Sequence, residues 1–141
     1  MTRMALAQEH LEQAGDLAAV LDAAYEAFEA MLAVINDSQD PASGLFAAFV
    51  MAGAAAANGR DAVGFAPSLP TRPQHRGASG EGTTSGASPE VTARGVAALS
   101  HLTAARLTPM AGSASRSGDR TACQAAARYA REICQLLGGG P

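Results

Sequence analysis

The chain has 141 residues and a mass of 14.2 kDa, which suits one domain and argues against two. It is 48% hydrophobic, 4% aromatic and 16% charged, with a net charge of −3 and two cysteines. These figures exclude a large multidomain enzyme, a strongly basic nucleic-acid binder and a disulfide-stapled module.

All ten basic residues are Arg, Ala fills 34 positions and Trp is missing. This usage matches the coding bias of a GC-rich bacterial genome. The charge is unevenly spread. Residues 1–40 hold Arg3 against eight acids, a net −7, and residues 41–141 hold a net +4. Such asymmetry favours docking within the chain or onto a partner.

A long first helix is expected over residues 2–36. Leu17, Val20, Leu21, Phe28, Met31 and Ile35 fall on one arc, with the acids from Glu9 to Glu29 opposite. A heptad also fits. Met4, Leu11, Ala18, Tyr25 and Leu32 take one seam position; Ala7, Ala14, Leu21, Phe28 and Ile35 take the other. A straight helix of that size would be about 52 Å long, more than a compact chain of this length needs. It must therefore kink near Gly15 or protrude.

Asp40 and Pro41 read as the cap and first position of a second helix over 41–58, ended by Asn58-Gly59. The run Pro41 to Gly59 is uncharged but rich in Ala and Gly, so it reads as a buried helix rather than a membrane span. Val63, Phe65 and Leu69 are apolar enough to fold back on the bundle. Residues 71–88 have almost no apolar side chain beyond Ala and read as a disordered linker.

Ser88-Pro89-Glu90 starts a third helix over 89–107, stopped by Thr108-Pro109. A second flexible stretch is expected over 110–118, followed by a fourth helix over 119–137. On that last helix Arg120, Arg128 and Arg131 form a modest basic patch. No segment alternates long enough for a strand. The expected fold is all-α: a single-domain four-helix bundle with a long first helix and a disordered loop between helices 2 and 3.

Chemistry-bearing motifs are sparse. His10, His75 and His101 have no metal-ligand spacing, and Cys123 and Cys134 lie about 16 Å apart along one helix, too far to pair. The acids at Glu12 and Asp16, and at Asp22 and Glu26, are four residues apart but face away from the expected core. No phosphate loop, dinucleotide fingerprint or nucleophile elbow occurs. No metal, cofactor, nucleic acid or membrane is expected, and no enzyme.

The leading expectation is a cytoplasmic helical interaction module, homodimeric or bound to a helical protein partner. Its interface would be the first-helix seam of Leu11, Leu21, Tyr25, Phe28 and Leu32. The alternative is a small-ligand or effector-binding bundle acting in regulation, with a pocket lined by Phe46, Phe49 and Phe65.

Overall fold

The computed structural model describes residues 2–70 and 88–138, and these form helices joined by turns, without a strand. Five helices follow in order: α1 (Arg3–Gln13), α2 (Leu17–Asp37), α3 (Phe46–Gly64), α4 (Pro89–Ser113) and α5 (Ser117–Gly138). Four of them close a ring, with α2 against α3, α3 against α5, α5 against α4 and α4 against α2. The shorter α1 lies across α2 and α4.

The single long first helix is corrected to two. The chain breaks at Ala14-Gly15-Asp16, which also raises the helix count from four to five. Asp16 turns extended and its carboxylate accepts from the Ala19 amide at 2.9 Å, an N-cap for α2. The Ala14 amide closes α1 by donating to the His10 carbonyl at 3.0 Å.

The second helix starts and ends later than expected. Ser43 N donates to Asp40 O and Phe46 N to Ser43 O, so tight turns occupy residues 41–45 and α3 begins at Phe46. The helix then runs through Asn58-Gly59 to Gly64. Gly59 is buried against Phe28, where any Cβ would run into the aromatic ring. The residue is glycine because α2 and α3 touch there, not because the helix stops.

Pro109 does not stop α4 either, which continues to Ser113. Its ring lacks the N–H that would bond the Ala105 carbonyl, but both residues are exposed, so water can satisfy that oxygen. The stretch 110–118 is consequently ordered. It holds the last turn of α4, a three-residue break, and the first two residues of α5. Arg120 Nη1 covers the break by donating to the carbonyls of Ala114 at 2.9 Å and Ser115 at 3.3 Å. Of the linker expected at 71–88, only Ser88 lies within the described residues; its hydroxyl caps Val91 N at 3.2 Å.

The core is aliphatic and Ala-rich. Phe28, Phe49, Leu11, Leu21, Met31 and Ile35 are its largest fully buried side chains. Ser100 and Thr103 are buried too, and each returns its hydroxyl to a carbonyl of its own helix, Ala97 at 2.9 Å and Leu99 at 2.8 Å. Among the described residues no helix is long and apolar enough to cross a membrane.

Candidate functional site

The expected seam residues go to two places. Leu11, Leu21 and Phe28 have no accessible surface and pack in the chain's own core. Tyr25 and Leu32 are half-buried against that core. Among the described residues the exposed large apolar side chains are Leu6 of α1, Val91 of α4, and Val50, Met51 and Phe65 along α3, where they are most numerous.

No charged side chain occurs from Phe46 to Gly59, so up to Ala57 the helix is apolar on both sides. Phe49, Ala52, Ala55, Ala56 and Val63 point into the core. Ala47, Val50, Met51 and Ala54 face solvent, with Val50 43% and Met51 54% exposed. A helix of this composition ordinarily has both sides covered.

Exposed Asn58 and the Arg60–Asp61 pair, 3.5 Å apart, then interrupt that face, and beyond them Phe65, the C-cap residue of α3, is 82% exposed. Val63 and Leu69 fold back as expected, but Phe65 does not. Its amide donates to the Ala62 and Val63 carbonyls, and the next turn, Ala66 N to Val63 O at 3.0 Å, buries Ala66 instead. Nothing in the local pattern of the sequence separates Phe65 from its buried neighbours; the tight turn after Gly64 decides it.

The three phenylalanines of the alternative pocket do not come together. Phe46 and Phe65 stand nineteen residues apart on one helix, about 28 Å along its axis, and Phe49 is fully buried. A shallow groove does open between α1 and α2, lined by His10, Gln13, Ala14, Ala19, Asp22 and Ala23. His10 Nδ1 lies 2.5 Å from Glu26 Oε1 and ties the two helices across it.

Other polar side chains serve the fold. Asp119, almost wholly buried at the start of α5, accepts from Ser68 N at 2.9 Å and from Ser68 Oγ at 2.7 Å. That clamp fixes the chain leaving α3 onto α5. Cys123 stands one turn further on, fully buried, and its burial, helped by the Asp119 charge, pushes its thiol up to about 11. A thiol held protonated this way is a poor nucleophile. Arg106 of α4 reaches the α1–α2 break and donates to the Ala14 carbonyl, while its Nε is buried without a partner.

The expected basic patch is partly used up. Arg120 caps the α4–α5 break, Arg131 donates to Thr108 Oγ1 at 3.3 Å, and Arg128 lies 5.9 Å from the Tyr129 ring centroid. Asp16 serves as a cap, and Glu12 sits on the other side of the break from it. His75 lies outside the described residues, and among those described no three His, Cys, Asp or Glu side chains cluster as metal ligands. No protein family, curated protein or solved structure matches the chain.

Proposed function

We propose that the protein is a non-enzymatic helical interaction module that self-associates, and that its docking surface is the outer face of α3 rather than the seam of the first two helices. One observation carries this reading. From Phe46 to Ala57 α3 is apolar on both sides, and its outer side leaves Val50 and Met51 about half exposed beside exposed Ala47 and Ala54. Large apolar side chains grouped along one strip mark interaction sites more than scattered ones do.

A second copy of the chain fits this strip. The chain carries a net charge of −3, concentrated as −7 in its first 40 residues, yet Phe46 to Gly59 is neutral. Two identical copies can therefore meet there without placing like charges in contact. Antiparallel pairing about a two-fold axis near Val50 and Met51 brings these side chains together and keeps the Arg60–Asp61 pair of each copy at the rim. Alanines along the strip allow close approach of the two helices.

Native mass measured by light scattering over a wide concentration range tests the reading. The wild-type chain should shift from monomer to dimer, and Met51→Glu should stay monomeric with unchanged helicity and melting temperature. A wild-type mass of one chain at every concentration, or a dimer indifferent to Met51→Glu, overturns it.

A further inference from the structure

We infer that α1 is an exchangeable arm: the Ala14-Gly15-Asp16 break can straighten, so that α1 and α2 join into one helix and α1 of each copy packs into the α1 site of another. The second copy is the partner. This goes beyond the α3 reading and does not depend on it.

The first observation is a stripe that runs through the break in phase. Leu11 and Ala18, and Ala14 and Leu21, are seven residues apart across it, matching the spacing on either side. Ala7, Leu11, Ala14, Leu21, Phe28 and Ile35 are all buried in the bent chain. A bend between unrelated helices has no reason to preserve that phase. A straight helix over the same residues would present one unbroken apolar seam.

The second observation is that the two backbone groups held by side chains at the break have helix partners in the straight arrangement. In the bent chain the Ala14 carbonyl accepts from Arg106 and the Ala19 amide is capped by Asp16. In a continuous helix the Ala14 carbonyl would accept from the Ala18 amide and the Ala19 amide would donate to the Gly15 carbonyl. These two groups are therefore paired in either state, and straightening releases the Arg106 and Asp16 side chains.

The third observation is how lightly α1 is anchored. Only Ala7 and Leu11 of its eleven residues are buried, Met4 packs on Gly95 of α4, and His10 pairs with Glu26. Each of these contacts is recovered when α1 of a second copy fills the same site, so exchange conserves them. The bend itself is not locked by glycine geometry. Gly15 has no atom within 4 Å of an added Cβ and no left-handed φ, so Ala is sterically accepted there.

Three chains test the exchange, each also carrying Met51→Glu so that α3 pairing is removed. Gly15→Ala with Asp16→Ala raises helix propensity at the break and deletes the cap of the bent form. Two hinges straighten per dimer, so its dimerisation constant should exceed that of the parent by on the order of 100-fold. Gly15→Pro forbids the straight helix, and Ala14 already holds the extended angles a following Pro requires, φ −65° and ψ 126°.

That second chain should stay monomeric at every concentration, with helicity near that of the parent. Mixing two differently tagged dimers should give slow subunit exchange, because each transfer requires α1 to open. A hinge-substituted chain no more dimeric than its parent, or a Gly15→Pro chain equally dimeric, overturns the inference. If instead Met51→Glu leaves the parent dimeric and Gly15→Pro abolishes that dimer, exchange stands and the α3 reading falls.

Discussion

Gly59 of α3 lies directly on the ring of Phe28 of α2, and the missing side chain is what lets the two helices meet. Phe28 has no accessible surface, so the ring has nowhere to move. Gly59→Ala therefore sets two effects against each other. Helix propensity favours Ala by about 1 kcal/mol, and overpacking costs about 1–3 kcal/mol or more when the obstacle is a rigid ring. The clash should win, and the melting temperature should fall. Gly15→Ala meets no obstacle and should leave the melting temperature equal or higher, which makes it the control.

The Ser68–Asp119 clamp gives the next expectation. Asp119→Ala removes two acceptors at once and leaves the Ser68 amide and hydroxyl without their partner. A hydrogen bond to a buried carboxylate contributes about 1.5–3 kcal/mol, so with two lost chemical denaturation should show a loss of about 3 kcal/mol or more. Ser68→Ala loses only the hydroxyl bond and should cost less than Asp119→Ala. Equal losses would mean that the backbone bond contributes nothing.

The helical class and the acidic first third of the chain were legible in composition and periodicity, and the start of α4 at Ser88-Pro89 was legible in its cap. The breaks were not, for identifiable reasons. Gly59 and Pro109 carry local stop signals that packing against Phe28 and exposure to water respectively overrule. The break at Ala14-Gly15-Asp16 is invisible to periodicity because the apolar stripe passes through it in phase. Part of what holds it is Arg106, 92 residues away. The Ser68–Asp119 clamp spans 51 residues and belongs to the same kind of information. The apolar seam of Leu11, Leu21 and Phe28 is legible in the heptad spacing, which does not say whether the seam meets a partner or the chain's own core. Their burial in this chain's core follows from α1 folding back, which no local pattern encodes.

Arg106 should govern how readily α1 opens. Its guanidinium is the cross-chain donor to the Ala14 carbonyl, and its buried Nε has no partner to offset desolvation. Arg106→Leu removes both the bond and the orphaned donor, so the net global cost should be small, about 1 kcal/mol. The local effect should be larger than the global one. Amide hydrogen exchange over residues 4–11 should speed up by about thirtyfold or more, against about fivefold at most in α3 and α5, the factor that a global loss of about 1 kcal/mol gives. Uniform acceleration across all helices would show that Arg106 contributes only to overall stability.

Cys123 makes stability depend on alkaline pH in a predictable sense. Burial first, and the Asp119 charge second, push its thiol from an ordinary value of 9.0 up to about 11. Below pH 9 the thiol stays protonated whether the chain is folded or not, and its contribution is complete. Between pH 9 and 11 the unfolded chain releases the proton and the folded chain keeps it, so unfolding becomes easier as pH rises. A difference of that size corresponds to about 2–3 kcal/mol lost across the window. Cys123→Ala should flatten the fall in melting temperature between pH 8.5 and 11, apart from a small cavity cost that is the same at every pH. Asp119→Asn should flatten it only in part, because desolvation is the larger cause. In the native chain at neutral pH a thiol-alkylating reagent should label half-buried Cys134 and spare Cys123, with both labelled after denaturation. Equal labelling of the two native thiols would show that the Cys123 site opens far more readily than its packing implies.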